Sequence, residues 1–149
     1  MNIPAGTLPP TKIPAGIVTF LFTDVEGSTR LWERHRAEME IALERHDAIL
    51  RSAIESKGGY VFSTAGDAFA AAFAAPDEAF QAAVSAQERL ESEPWPASTQ
   101  LRVRMGLHTG EAQERDGDYF GPVLNRAARI MSAGHGGQVL VSSATAGLL

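Results

Sequence analysis

From Ile17 the chain alternates β-branched and aromatic side chains, a pattern that predicts a buried strand, and the run breaks at Asp24-Val25-Glu26-Gly27 before Ser28-Thr29. Those two hydroxyl residues suit the capped start of a helix. An acid is therefore expected at the end of a strand, followed by a glycine and a helix N-terminus whose free N–H groups attract an anion such as a phosphate. An ordinary strand, turn and capped helix would read the same way, so the rest of the chain has to decide. Ser28 to Lys57 contains neither Pro nor Gly and spaces Leu31, Trp32, Met39, Leu43, Ile49, Leu50 and Ile54 helically. This predicts one long helix or two in tandem, stopping at Gly58-Gly59. Tyr60-Val61-Phe62 reads as a strand, Thr64 to Asp67 as a tight turn and Phe69 to Ala75 as the returning strand of a hairpin, with a helix as the alternative because alanine dominates.

Pro76-Asp77 starts a helix to about Leu90, and Pro94-Trp95-Pro96 ends it. Leu101, Val103, Met105 and Leu107 alternate with Arg102, Arg104, Gly106 and His108, the period of a half-buried strand. Gly110 to Asp118 is polar and reads as a loop. Gly121-Pro122 opens a helix to about Ala133, Gly134 to Gly137 stops it, Gln138 to Val141 is a short strand, and Ser142-Ser143 caps a last helical fragment. The order βα(α)ββαβαβ predicts an α+β fold with helices on one face of a mainly antiparallel sheet. Residues 1–15, rich in Pro and Gly, are expected as a flexible tail, and residues 16–149 as one domain.

Composition narrows the chemistry. With 149 residues, 44% hydrophobic and 21% charged, the chain can bury a real core in one domain. A net charge of -5 argues against a nucleic-acid surface, whereas polyphosphate held through metal ions stays compatible. The absence of cysteine excludes disulfides, thiolate zinc sites and cysteine nucleophiles. With no signal-peptide pattern and no apolar stretch of membrane-spanning length, the expectation is a cytoplasmic protein without a membrane partner.

A split-βαβ arrangement would set the strand after Asp67 antiparallel beside the strand carrying Asp24, bringing the two acids together. Two adjacent carboxylates repel each other unless a cation neutralises them, and oxygen ligands with an anionic substrate favour magnesium or manganese over zinc or copper. Asp67 is also a common turn residue. Asn125 and Arg129 stand four apart on the Gly121 helix, hence on one face. An arginine there can stabilise a phosphoryl transition state and an asparagine can hold a ribose or phosphate oxygen, although a solvated stripe would look the same. The four histidines are too scattered to suggest a metal site, and Trp32 and Trp95 read as packing groups.

In order, FTDVEGSTRLWE, STAGDAF, RMGLHTGE and DGDYFGPVLNRAARI resemble the catalytic domain of class III nucleotidyl cyclases, from about Ile17 to Ser143. The resemblance implies a ferredoxin-like βαββαβ core with additional αβ elements, and a head-to-tail homodimer with active sites shared between subunits. It also implies conversion of ATP, with GTP as the other purine, to a 3′,5′-cyclic monophosphate and pyrophosphate, using two Mg2+ or Mn2+ ions per site. By position, Asp24 and Asp67 match the metal-binding aspartates, with Val25 beside them. Val25, Glu26, Gly27, Ser28 and Thr29 match the phosphate-holding turn. Asn125 matches the residue that orients the ribose, Arg129 the arginine that stabilises charge at the α-phosphate, and Asp118 the aspartate that accepts from the adenine amino group.

One departure concerns Ser63, which stands where adenylyl cyclases carry a lysine and guanylyl cyclases a glutamate. Serine is too short to replace that lysine without a bridging water. Losing one buried base contact costs roughly 1–3 kcal/mol, which predicts weaker affinity and blurred purine choice. Family domains also usually continue beyond the position of Leu149, so a phosphate-contacting side chain is expected to be missing. These departures motivate the alternative of a weak or inactive cyclase-like module that binds nucleotide and regulates a partner. A diguanylate cyclase is disfavoured because its hairpin carries two adjacent acids where this turn has one.

Overall fold

The strand predicted from the opening alternation is β1 (Gly16–Val25), and it lies inside the sheet of the computed structural model, which describes residues 13–149. It is followed by α1 (Ser28–Arg34), α2 (Arg36–Glu55), β2 (Tyr60–Ala65), β3 (Ala68–Phe73) and α3 (Pro76–Ser92). The second half contributes β4 (Val103–Arg115), β5 (Asp118–Phe120), α4 (Pro122–Ser132), β6 (Val139–Val141) and α5 (Ser143–Ala146). The sheet order is β2-β3-β1-β4-β5, with β6 also on β4. All pairings are antiparallel except β4 with β6. The order β2-β3-β1-β4 is the ferredoxin-like arrangement, and a mixed α+β fold is what the element order predicted.

Three local details differ from the pattern reading or sharpen it. His35, at φ -140 and ψ 53, interrupts the long helical region and makes it two helices. Phe69 to Phe73 is a strand, because Phe69, Ala71 and Phe73 bury against α2 and α3 while Ala72 buries on the opposite side. The polar stretch from Gly110 is a strand and a tight hairpin, correcting the expected loop: β4 runs on to Arg115, and Asp116 (φ 54) and Gly117 (φ 81) turn the chain into β5. Asp-Gly with both residues at positive φ is the two-residue turn whose twist suits a hairpin.

The helices are divided between two faces, which corrects the one-face expectation. Leu21, Val25, Phe69, Phe73, Met105 and Leu107 pack with α2 and α3. Val18, Phe20, Ala72 and Ala112, on the alternate positions of the same strands, pack with Tyr119 of β5 and Val123 and Ala127 of α4. β1 is buried at every position from Val18 to Leu21, so it needs cover on both sides. At Gly106 this cover comes so close that a Cβ would lie 2.5 Å from the backbone nitrogen of Met131. The expected tail lies largely outside the described residues. Of its last three residues, Ile13 packs on the second cluster and Pro14 is buried, its carbonyl accepting from the Tyr119 hydroxyl at 2.6 Å.

Candidate active site

β1 ends where β3 begins, with Thr23 opposite Phe69, so the turn between β2 and β3 projects Asp67 back over the end of β1. The backbone N–H of Val25 donates to Asp67 Oδ1 at 3.1 Å. Asp24 and Asp67 therefore meet at one end of the sheet, as the split-βαβ arrangement required. Arg104 stands directly across from Asp24 on β4. Its Nε donates to Asp24 Oδ1 at 2.7 Å and its Nη2 to Oδ2 at 2.5 Å. The Asp24 hydrogen bond holds the Arg104 guanidinium above its ordinary pKa against the opposing effect of burial, and the fields of Asp24, Glu26 and Asp67 add to it. Arg104 was missed by the sequence reading. The alternation that predicted β4 marks it as polar, but only the register opposite β1 gives it a partner.

The donor chemistry of this corner suits a hard divalent cation: two carboxylates and backbone carbonyls, with no sulfur ligand. Among the described residues no group of three His, Cys, Asp or Glu side chains is gathered to hold a metal, so two carboxylates are the core of what this chain offers. Both oxygens of Asp24 already accept from Arg104, so a cation there competes with or shares the guanidinium.

The turn after Asp24 is shaped by Gly27, which has φ 69 and precedes the first residue of α1. The Glu26 N–H is fixed to the Arg102 carbonyl at 2.8 Å. Ser28 and Thr29 do not cap the helix as expected: Gly27 occupies the N-cap, and no side chain accepts from the first turn. Ser28 is half-buried and Thr29 exposed. A cavity of about 670 Å³ lies beside this turn, lined by Trp95, Arg102, Gly136 and Val139 among others, and none of Asp24, Asp67, Asn125 or Arg129 lines it. Asp24 and Asp67 are themselves half-buried.

Asn125 and Arg129 are both exposed on α4, one turn apart, and among the described residues neither side chain has a hydrogen-bond or ion-pair partner. The start of α4 lies over Gly110, which Val123 approaches, and its end over Gly106. Gly110 is six strand positions from Arg104 and hence from the Asp24 row, roughly 20 Å along β4. The chain gathers Asp24 and Asp67 but leaves its own Asn125 well apart from them.

Ser63 is exposed on β2, and Asp118 is the exposed first residue of β5, its Oδ1 accepting from the Tyr119 N–H at 2.8 Å. Their strands do not pair, yet Tyr60 of β2 donates its hydroxyl to the Gly117 carbonyl at 2.7 Å. Burial raises the Tyr119 hydroxyl pKa, so it remains a donor to Pro14. The His108 pKa is lowered, first by burial and then by the Arg126 charge.

Residues 12–149 match the adenylate and guanylate cyclase catalytic domain family. An uncharacterised protein of Mycobacterium tuberculosis is 42% identical over 137 residues, covering 91% of this chain and 46% of the relative. The adenylate cyclase of Schizosaccharomyces pombe is 35% identical over 161 residues, covering 91% of this chain and 10% of that protein. The chain thus spans less than half the length of these curated relatives. Among solved structures, a Trypanosoma brucei adenylate cyclase in its monomeric state superposes with a TM-score of 0.78 at 32% identity, covering 93% of this chain and 77% of that one. The catalytic core of a rhodopsin-guanylyl cyclase in complex with ATPalphaS superposes with a TM-score of 0.82 at 22% identity, covering 90% and 81%, a likeness of fold.

Proposed function

The chain belongs to the adenylate and guanylate cyclase catalytic domain family, and we propose that it is an adenylate cyclase, converting ATP to 3′,5′-cyclic AMP and pyrophosphate at sites shared between two copies. The observation that carries this reading is the meeting of Asp24 and Asp67 through the Val25 N–H, with Asn125 and Arg129 exposed on α4 and Asn125 well apart from the acids along β4. One protomer offers the acids and the other the Asn–Arg pair, so two half-sites make a whole.

In this reading Asp24 and Asp67, with the Val25 carbonyl, would hold two magnesium or manganese ions per site. When bound, these ions supply Lewis acidity for the 3′-hydroxyl and charge against the departing pyrophosphate. In the turn from Val25 to Thr29 the Val25 and Glu26 N–H groups are held by Asp67 and by the Arg102 carbonyl, so the N–H groups of Gly27, Ser28 and Thr29, uncapped by any side chain, are those offered to the phosphates. From the second copy, Asn125 orients the ribose, Arg129 faces the charge developing at the α-phosphate, and Asp118 accepts from the adenine amino group. Ser63 gives this recognition only a short hydroxyl, which supports relaxed purine choice and a modest rate. The same Ser63 favours the second reading, a nucleotide-binding module that regulates a partner. Among the described residues no helix is long and apolar enough to cross a membrane, and a cytoplasmic role in signalling fits the proposal.

The test is cyclic nucleotide formation from ATP and from GTP, with Mn2+ and with Mg2+, by the purified chain and by Asp24→Ala. Metal-dependent cyclic AMP that disappears in Asp24→Ala is the expected result. A folded dimer that binds ATP but forms no product would favour the regulatory module.

A further inference from the structure

We propose that Tyr60 is a positioning residue for purine recognition: its phenol pins the tip of the β4–β5 hairpin and so fixes the Asp118 carboxylate relative to Ser63. The proposal rests on the cyclase reading and deepens it, since neither role of Asp118 or Ser63 involves Tyr60.

β5 has only three residues and pairs with β4 alone, and so short a hairpin is marginal without further anchoring. Its tip is held from three directions. Within the hairpin, Glu114 accepts from the Gly117 N–H at 3.0 Å. At its base, the Tyr119 hydroxyl reaches Pro14, and the Tyr119 ring lies 4.8 Å from Phe62 and 5.3 Å from Phe20. The third tie is the hydrogen bond from the Tyr60 hydroxyl on β2 to the Gly117 carbonyl at the turn itself. Gly117 is shaped for it: its φ is 81, and a Cβ there would lie 2.8 Å from the phenol oxygen.

β2 turns both residues of interest to one side. Tyr60 pairs with Ala72 and Val61 with Ala71, and the register then shifts so that Ser63, after the inserted Phe62, pairs with Ala70. Directly paired residues share a face, and Ala70 and Ala72 lie on the same face of β3. The bulge therefore brings Ser63 to the side already occupied by Tyr60, which is the side over which the hairpin folds. Tyr60 thus links the strand that carries Ser63 to the residue adjoining Asp118, and Asp118 keeps Oδ2 free while Oδ1 accepts from the Tyr119 N–H.

The experiment compares ATP and GTP binding in Mn2+, alongside amide exchange, for the wild type and Tyr60→Phe, which keeps the ring and removes the donor. Exchange at residues 117–119 should rise about tenfold while β1 is unchanged, and the preference for ATP over GTP should fall about fivefold. In an Asp118→Asn background, Tyr60→Phe should not change the preference further. An unaltered preference in Tyr60→Phe, or an equal further loss in the Asp118→Asn background, would overturn the proposal. If Tyr60→Phe does not fold, Glu114→Ala, which loosens the tip from its own strand, must lower the same preference or the proposal falls. A wild type that binds ATP selectively without forming product defeats only the enzyme reading, because these binding arms still decide. A wild type that binds no nucleotide defeats both.

Discussion

Arg104 holds both carboxylate oxygens of Asp24, at 2.7 and 2.5 Å, so the acid at the end of β1 already has a cationic partner before any metal arrives. The side chains of the pair are 26% and 20% exposed, which limits its worth to roughly 1 kcal/mol of stability. Its larger effect is on cation binding. Arg104→Met should bind Mn2+ alone about tenfold more tightly than the wild type, because one adjacent positive charge is removed. Titration followed by Mn2+ electron spin resonance reads this directly, and equal or weaker binding would show that guanidinium and cation do not compete.

The separation of Asn125 from the acids of its own chain predicts complementation. Asp24→Ala and Arg129→Ala should each be inactive alone, whereas equal mixing should restore about a quarter of wild-type activity, since half the dimers are mixed and each has one intact site. Mixed dimers confirmed by mass spectrometry but lacking activity would exclude a shared site.

His108 donates to or accepts from Ser142 Oγ at 2.8 Å, and burial and Arg126 lower its pKa. Its neutral form is favoured by the fold. The unfolded chain takes up the proton near pH 6.5 and the folded chain only at lower pH, so this stabilisation is present above about 6.5 and lost as pH falls through the folded value. The Tm should therefore decline between pH 7 and 5.5, and less steeply in His108→Gln. Parallel declines in both proteins would remove His108 from the cause.

Gly106 is where α4 touches the sheet backbone, and an added methyl would meet Met131 N at 2.5 Å with no flexible side chain to yield. Gly106→Ala should cost about 1–3 kcal/mol in urea unfolding. It should also lower activity beyond that loss, because α4 carries Asn125 and Arg129. Full stability in this variant would mean that α4 moves away freely.

The neighbourhood of Asp24 and Asp67 was legible in the sequence because it follows from element order: a strand, a helical region and a hairpin in succession leave few pairings. Arg104 was not legible, since its partner is set by the register of two strands far apart in the chain. The division of helices between two faces was written in β1, where Val18 and Phe20 are as apolar as Leu21 and Val25, but the reading used only alternation and assumed one covered side. The hairpin before α4 was hidden by its polarity. Glu111 to Arg115 looks like a loop because every residue there but Ala112 is exposed and polar, and Asp116-Gly117 was the overlooked signal. Ser28 and Thr29 have the chemistry of caps, but Gly27 at positive φ starts the helix one residue earlier.

The Asp24–Arg104 pair spans 80 residues of chain. Closing so long a loop is entropically costly, far more so than closing the local β2–β3 hairpin. During synthesis Asp24 and Asp67 emerge well before the arginine that balances them. A chain cut after α3 would carry the two acids without the arginine that balances them.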